Sequence, residues 1–238
     1  MQRVLIISNR LPVSVEKRKR GLRFEPSIGG LATSLKSFYK SYNSIWIGWP
    51  GINLERIKEE EQDVEARLLS EGCHPVFLSQ RDIEDYYHGF CNNTIWPLFH
   101  YYPLYTIYSK DLWQAYERVN EVFANAVAEV AELGDIIWIH DYHLMLLPRL
   151  VRERLPGATI GFFLHIPFPS FEIFRLLPWR RQILNGLLGA DLIGFHTHDY
   201  AQHFLNSVHR LLGYEDTMGQ ITSTDRIIRA DVFPMGRL

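Results

Sequence analysis

IIWIHDYHLMLLPRLVRERLPGATIGFFLHIP, residues 136–167, decides the architecture. It holds two short apolar runs, Ile136–Ile139 and Ile160–Leu164, that read as strands buried on both faces. Between them Leu144–Leu155 reads as an amphipathic helix. Strand, helix and strand at this spacing make a βα unit with parallel strands. The same rhythm runs outward in both directions. Further strands are expected at Val4–Ile7, Ile45–Ile47, Pro75–Leu78, Leu192–Phe195 and Ile227–Phe233, and helices at Leu31–Tyr39, Leu54–Leu69, Asp111–Leu133, Arg180–Leu188 and Tyr200–Leu212. Right-handed crossovers and the need to cover both sheet faces then predict an α/β fold: a doubly wound, mostly parallel Rossmann-like sheet with helices on both faces.

Composition narrows the class of function. The chain has 238 residues, 47% of them hydrophobic and 22% charged, as an ordinary soluble domain would. A formal charge of -2 gives no global field for a polyanion, so nucleic acid is not an expected partner and any anion site must be local. The basic run Lys17-Arg18-Lys19-Arg20 ends at Gly21 between two strand-like segments and reads as a solvated turn. Cys73 and Cys91 form no CxxC and no framework; they read as packed thiols in a reduced, cytoplasmic setting. No apolar run approaches spanning length, so no membrane partner is expected, and no repeat or linker divides the chain into domains.

Open parallel sheets bind ligands at the carboxyl ends of their strands. The residues just past the expected strands are Ser8-Asn9-Arg10, Gly48-Trp49-Pro50-Gly51, His140-Asp141-Tyr142-His143, His165-Ile166-Pro167 and His196-Thr197-His198. Packing alone does not place Asp, His and Arg together along one edge, so a cleft is expected there. Arg10 offers a guanidinium suited to forked hydrogen bonds with phosphate, or else a surface ion pair. Gly29-Gly30 before a helix could let backbone amides approach a phosphate, or be an ordinary glycine turn. His140, Asp141 and His143 lack the HExxH pattern of a catalytic zinc, and no metal or cofactor is expected. Asp and His at adjacent strand ends suit sugar hydroxyls or proton transfer, whereas His143 reads as a cap or core histidine. His196, His198, His203 and His209 read as surface or packing residues. Tyr86, Tyr87 and Trp96, in the long segment after the third strand, read first as an aromatic core and second as a platform for the C–H faces of a sugar.

Together and in this order, SNRLPV (8–13), GGLA (29–32), WIGWPG (46–51), DYYHGFCNNTIWPLFHY (85–101), IIWIHDYHLMLLPRLVRERLP (136–156), IGFFLHIPFPSFEIFRLLP (160–178) and DLIGFHT (191–197) resemble the trehalose-6-phosphate synthase family, over almost the whole chain. GGLA recurs in glycogen-synthase-like enzymes; WIHDYHL followed by FFLHIPFP is highly specific. The resemblance implies one half of a GT-B glycosyltransferase, with residues 1–238 as the acceptor-binding domain. It implies that the donor-binding domain follows where this chain ends, so that the isolated chain would be inactive. The implied reaction moves glucose from UDP-glucose to glucose 6-phosphate with retention. In that reading the departing phosphate takes the acceptor's proton, with no protein nucleophile and no metal.

Residue by residue, the resemblance puts Arg10 on the acceptor's phosphate, with Tyr87, Trp96 and Trp49 lining the glucose 6-phosphate site. It puts Asp141 on acceptor hydroxyls and His165 on the donor glucose, both at the reacting centre, and Gly29 and Gly30 against the donor diphosphate. Two other functions stay open: a sugar-phosphate sensor without catalysis, and a synthase using another acceptor such as glycerol phosphate. Donor nucleotide preference, homo-oligomer formation and an attached phosphatase domain are likewise left open by these residues.

Overall fold

In a computed structural model, which describes residues 2–19, 21–27, 43–223 and 226–234, the apolar runs assemble into a nine-stranded sheet. In chain order the strands are β1 (Val4–Arg10), β2 (Val13–Arg18), β3 (Gly21–Pro26), β4 (Ser44–Trp49), β5 (Cys73–Pro75), β6 (Ile136–His140), β7 (Thr159–Phe163), β8 (Leu192–Phe195), β9 (Asp216–Thr217), β10 (Gln220–Thr222) and β11 (Ile227–Val232). Their order in space is β5-β4-β1-β6-β7-β8-β11-β10-β9; every pair from β5 to β11 is parallel, and β10 and β9 add an antiparallel edge. The strands β2 and β3 form a separate antiparallel hairpin. The chain starts at β1, winds outward through β4 and β5, then returns to the far side of β1 at β6. That reversal opens a crevice between the carboxyl ends of β1 and β6, the usual ligand position in such sheets.

Strand alternation sorts the apolar residues into two cores. Leu5, Ile7, Ile137 and Ile139 face one, with the helices Lys110–Val130, Leu147–Arg154, Arg180–Leu187 and His198–Leu212. Val4, Ile6 and Trp46 face the other, with Val64 and Leu68 of the helix Glu61–Ser70 and Val15 of the hairpin. The helix ends follow local chemistry. Thr197 caps His198–Leu212 by accepting from the Tyr200 amide, and Gly213, at φ 78°, ends it in the left-handed region.

The expected α/β class holds, with corrections of extent. β1 runs three residues beyond its apolar core, to Arg10, which pairs with Trp49 after an irregularity at Ile7. The third strand is Cys73–Pro75 rather than Pro75–Leu78; Leu78 makes only an isolated bridge to Asn53. The expected helix over Leu54–Leu69 is a 3-10 turn, Leu54–Arg56, followed by Glu61–Ser70. Residues 80–99, expected to be a connection, are continuously helical, and Ile83–Ile95 is wound as a π-helix. The helix expected over Leu31–Tyr39 lies outside the described residues. Of the basic run expected to be a turn, Lys17 and Arg18 instead close β2, paired with Glu60 and Glu16, each at 2.8 Å, and Lys19 is in the exposed turn that follows. Cys73 and Cys91 are both buried. Among the described residues no helix is long and apolar enough to cross a membrane.

At the amino-terminal edge of the sheet, Asp191 accepts from Arg152 Nη2 and Arg226 Nη2 and from the amide of Ile160. Close packing beside this knot requires a glycine: a Cβ on Gly189 would lie 2.2 Å from Arg149 N. Nothing lies within 4 Å of a Cβ on Gly157. Gly189→Ala is therefore expected to lower the unfolding free energy by about 1–3 kcal/mol in urea denaturation. Gly157→Ala is expected to stay within about 0.5 kcal/mol of the parent.

Candidate functional site

Five side chains from four parts of the sequence meet at the crevice between β1 and β6. Arg10, at the end of β1, keeps an open side to solvent while its guanidinium carbon sits 4.4 Å from the centroid of the Trp49 ring. Burial against that ring lowers the Arg10 pKa from its usual value, and no ion pair to Arg10 occurs among the described residues. Arg3, Arg152 and Arg226, by contrast, are all neutralised by carboxylates. Trp49 is fixed by its indole N–H, which donates to the Ile52 carbonyl at 2.8 Å, and meets Tyr87 edge-on at 5.9 Å. Tyr87 in turn stacks on His143, centroids 5.8 Å apart. His143 Nδ1 lies 4.0 Å from Asp141 Oδ2.

Asp141 has φ 74° and ψ 168°, a region that is almost exclusively glycine's and costs about 1–3 kcal/mol for other residues. Three sets of bonds hold it there. Its amide donates to the Phe163 carbonyl at 2.8 Å, tying it to β7. Its Oδ1 accepts from the amides of Tyr142 at 2.9 Å and His165 at 3.3 Å. Beneath, the carbonyls of the turn that follows are satisfied by buried side chains: Tyr116 Oη donates to Tyr142 O, and Tyr86 Oη and Asn120 Nδ2 donate to His143 O.

Burial sets the charge state of this floor. It pushes the Asp141 carboxyl up to about 6, against two amide bonds that favour the anion. It pulls His143 down to about 3, with the charge of Arg10 adding to the effect, and His165 down to about 4, with His196 adding. Both ring nitrogens of His143 are buried without a partner. His165 lies at the next strand end, its Nε2 3.0 Å from His140 Nδ1. The crevice at neutral pH thus has neutral imidazoles, a largely ionised Asp141 carboxylate and the Arg10 cation, which is in no ion pair with it.

The structure brings together Arg10, Trp49, Tyr87 and Asp141 through contacts, and His165 through its amide. Trp96 is 43% exposed and stacks on His100, 4.2 Å away, with no ring contact to the others. Gly29 and Gly30 lie outside the described residues. His143 is a core histidine as expected, but its stacking on Tyr87 and position beside Asp141 make it part of the site's floor. His196, read as a surface or packing residue, is half-buried with its ring 5.7 Å from that of His165. The adjacency of β7 and β8 was the signal for that contact. Among the described residues no group of three His, Cys, Asp or Glu side chains could hold a metal ion.

Fold and topology together define the class: a Rossmann-like α/β domain of the kind that forms one half of a GT-B glycosyltransferase, its cleft at the point where strand order reverses. Residues 2–237 match Glycosyltransferase family 20, and the chain belongs to that family. It is 47% identical over 245 residues to the bifunctional trehalose-6-phosphate synthase/phosphatase of Thermoproteus tenax, covering 98% of this chain and 33% of that protein. It superposes with TM-score 0.80 and 28% identity on an alpha,alpha-trehalose-phosphate synthase (UDP-forming) from Burkholderia xenovorans in complex with glucose-6-phosphate, covering 99% of this chain and 50% of that one. With the Candida albicans trehalose-6-phosphate phosphatase N-terminal domain the TM-score is 0.82 at 33% identity, covering 99% and 49%. The chain thus spans between a third and half of the length of these relatives.

The raised Asp141 pKa has a measurable signature. Free in the unfolded chain it titrates near 4. Between about pH 4 and 6 the native carboxyl keeps a proton that the unfolded chain has released, so this group's contribution to stability is present below pH 4 and lost as pH rises through 6. The buried histidines slope the other way, but they are common to both proteins when wild type is compared with Asp141→Asn. Urea unfolding at stepped pH is expected to show wild type losing up to about 2–3 kcal/mol relative to the variant between pH 4 and pH 7.

Proposed function

We propose that this chain is the acceptor-binding half of a UDP-forming trehalose-phosphate synthase. The whole enzyme moves glucose from UDP-glucose to the anomeric oxygen of glucose 6-phosphate with retained configuration, releasing UDP. The observation that carries this reading is the unpaired Arg10 guanidinium, linked by Trp49, Tyr87 and His143 in unbroken contact to the Asp141 carboxyl. A sugar phosphate has the matching layout: a dianion at one end, apolar C–H faces in the middle and hydroxyls at the other. The Burkholderia relative, solved with glucose-6-phosphate, supports that acceptor.

In this reading Arg10 binds the phosphate, and it does so with little competition because no carboxylate occupies it. Trp49 and Tyr87 wall the ring, and Trp96 is assigned to the same sugar by the family resemblance alone. Asp141 accepts from acceptor hydroxyls, and His165 meets the donor sugar from the next strand end. Gly29 and Gly30 approach the donor's diphosphate. With their pKa values pulled down to about 3 and about 4, His143 and His165 are weak bases, which leaves the departing phosphate to take the acceptor's proton. A second reading is favoured by the match to the N-terminal domain of the Candida albicans phosphatase: this fold also serves in proteins named for another activity. There the same crevice would sense a sugar phosphate without transferring it.

Two variants test the site, and UDP release by the parent separates the readings. In the full-length parent, Arg10→Ala is expected to cost about 1.5–3 kcal/mol of acceptor binding, the worth of a charge-assisted hydrogen bond, and to raise the KM for glucose 6-phosphate roughly ten- to a hundredfold. His165→Ala is expected to lower kcat more than it raises that KM. A parent that binds glucose 6-phosphate but releases no UDP from UDP-glucose supports the sensor.

The isolated 238-residue chain is expected to unfold cooperatively yet to show no measurable transfer. Holding both substrates in reactive geometry is worth about 7–11 kcal/mol of barrier, and this half supplies one side of it. Turnover by the isolated chain at the parent's rate would overturn the half-enzyme reading.

A further inference from the structure

The ends of β6 and β7 meet in a hydrogen bond between two imidazoles. His140 pairs with Phe163 in the sheet, and its Nδ1 lies 3.0 Å from Nε2 of His165. Both rings are neutral at physiological pH, since burial lowers both pKa values. One of the two facing nitrogens must therefore carry the single shared proton.

The far side of His140 decides which. The residue is 1% exposed, and its Nε2 is buried without any partner. The ring packed closest on it, Trp138 at 4.5 Å, offers no lone pair. If the shared proton sat on His165, the N–H of His140 would be at Nε2, a buried donor with no oxygen or nitrogen to receive it. If it sits on His140 Nδ1, the orphan is a bare ring nitrogen. An orphaned buried N–H is the rarer defect.

We propose that His140 is a positioning residue that donates from Nδ1 to His165 Nε2 and so holds His165 as the Nδ1–H tautomer. Free histidine in water prefers the other tautomer, so this state is imposed by the fold. His165 is half-buried and its Nδ1 is not among the buried, unpartnered atoms, so that N–H keeps contact with solvent at the crevice. His165 is thereby a hydrogen-bond donor toward an oxygen of a sugar or phosphate and cannot take up a proton at that atom. This use of the tautomer rests on the proposed glycosyl transfer; the tautomer itself does not.

The test is a long-range proton–nitrogen correlation spectrum of the nitrogen-15-labelled chain at neutral pH, with the two rings assigned through His140→Asn and His165→Gln. The expected pattern is protonated Nδ1 and bare Nε2 for both residues; a protonated Nε2 on His165 overturns the proposal. His140→Asn, which offers an amide N–H near the same place, should keep the His165 pattern, and His140→Leu should move it toward Nε2–H. An unchanged His165 tautomer in the leucine variant removes His140 from the role. If that variant does not fold, the wild-type spectrum still decides. Lost transfer activity with the tautomer intact counts against the proposed function and leaves this assignment standing.

Discussion

The backbone at Asp141 is the constraint around which the site is built. A non-glycine residue at φ 74° and ψ 168° persists only where its surroundings over-determine it. Here the surroundings are a parallel strand on one side and a buried polar layer below. Phe163 of β7 takes its amide, and Tyr86, Tyr116 and Asn120 take the carbonyls of the next two residues. This conformation brings the carboxylate within reach of the His165 amide, so β6 and β7 present their side chains as one unit. Tyr116 and Asn120 come from the helix Lys110–Val130 and Tyr86 from residues 80–99. The aromatic segment is thus a support for the turn before it is a wall of the cleft.

The electrostatics follow from the same packing. Desolvation drives every buried titratable group near the turn toward its neutral form: imidazoles downward, the carboxyl and the phenols upward. The carboxyl, at about 6, is still largely ionised at neutral pH, and the cation that faces it across the crevice is Arg10, held by an aromatic face and not by a counter-ion. At the opposite edge of the sheet, by contrast, two arginines share Asp191. One edge uses charge to tie elements together, while the other leaves it available.

Much of this was legible in the residues. Leu192–Phe195 is a strand with the expected bounds, because its four apolar residues coincide with the paired ones. At β1 the pairing continues through polar Ser8, Asn9 and Arg10, which carry no hydrophobic signal. Residues 80–99 escaped because Gly89, Asn92, Asn93 and several aromatics are poor helix formers, and the π winding of Ile83–Ile95 does not produce the apolar period of an ordinary helix. Arg10, Asp141 and His165 could be singled out from their positions after strands. Their environment could not, since the strain at Asp141 bears no glycine to mark it and the His140–His165 bond depends on the register of β6 against β7.

The two ends of the nine-stranded sheet set a limit on how copies of this domain can meet. At one end β5 has three residues, and its last is Pro75, which has no N–H to offer. At the other, β9 has two residues, both exposed. A long bare strand is a template for another chain, and neither end provides one. Stacking edge to edge into a continuous ribbon is therefore closed to the described sheet, even though its interior strands are among the most apolar segments in the sequence. The nine-stranded sheet, rich in β-forming residues inside, presents no long bare edge because it ends in stubs.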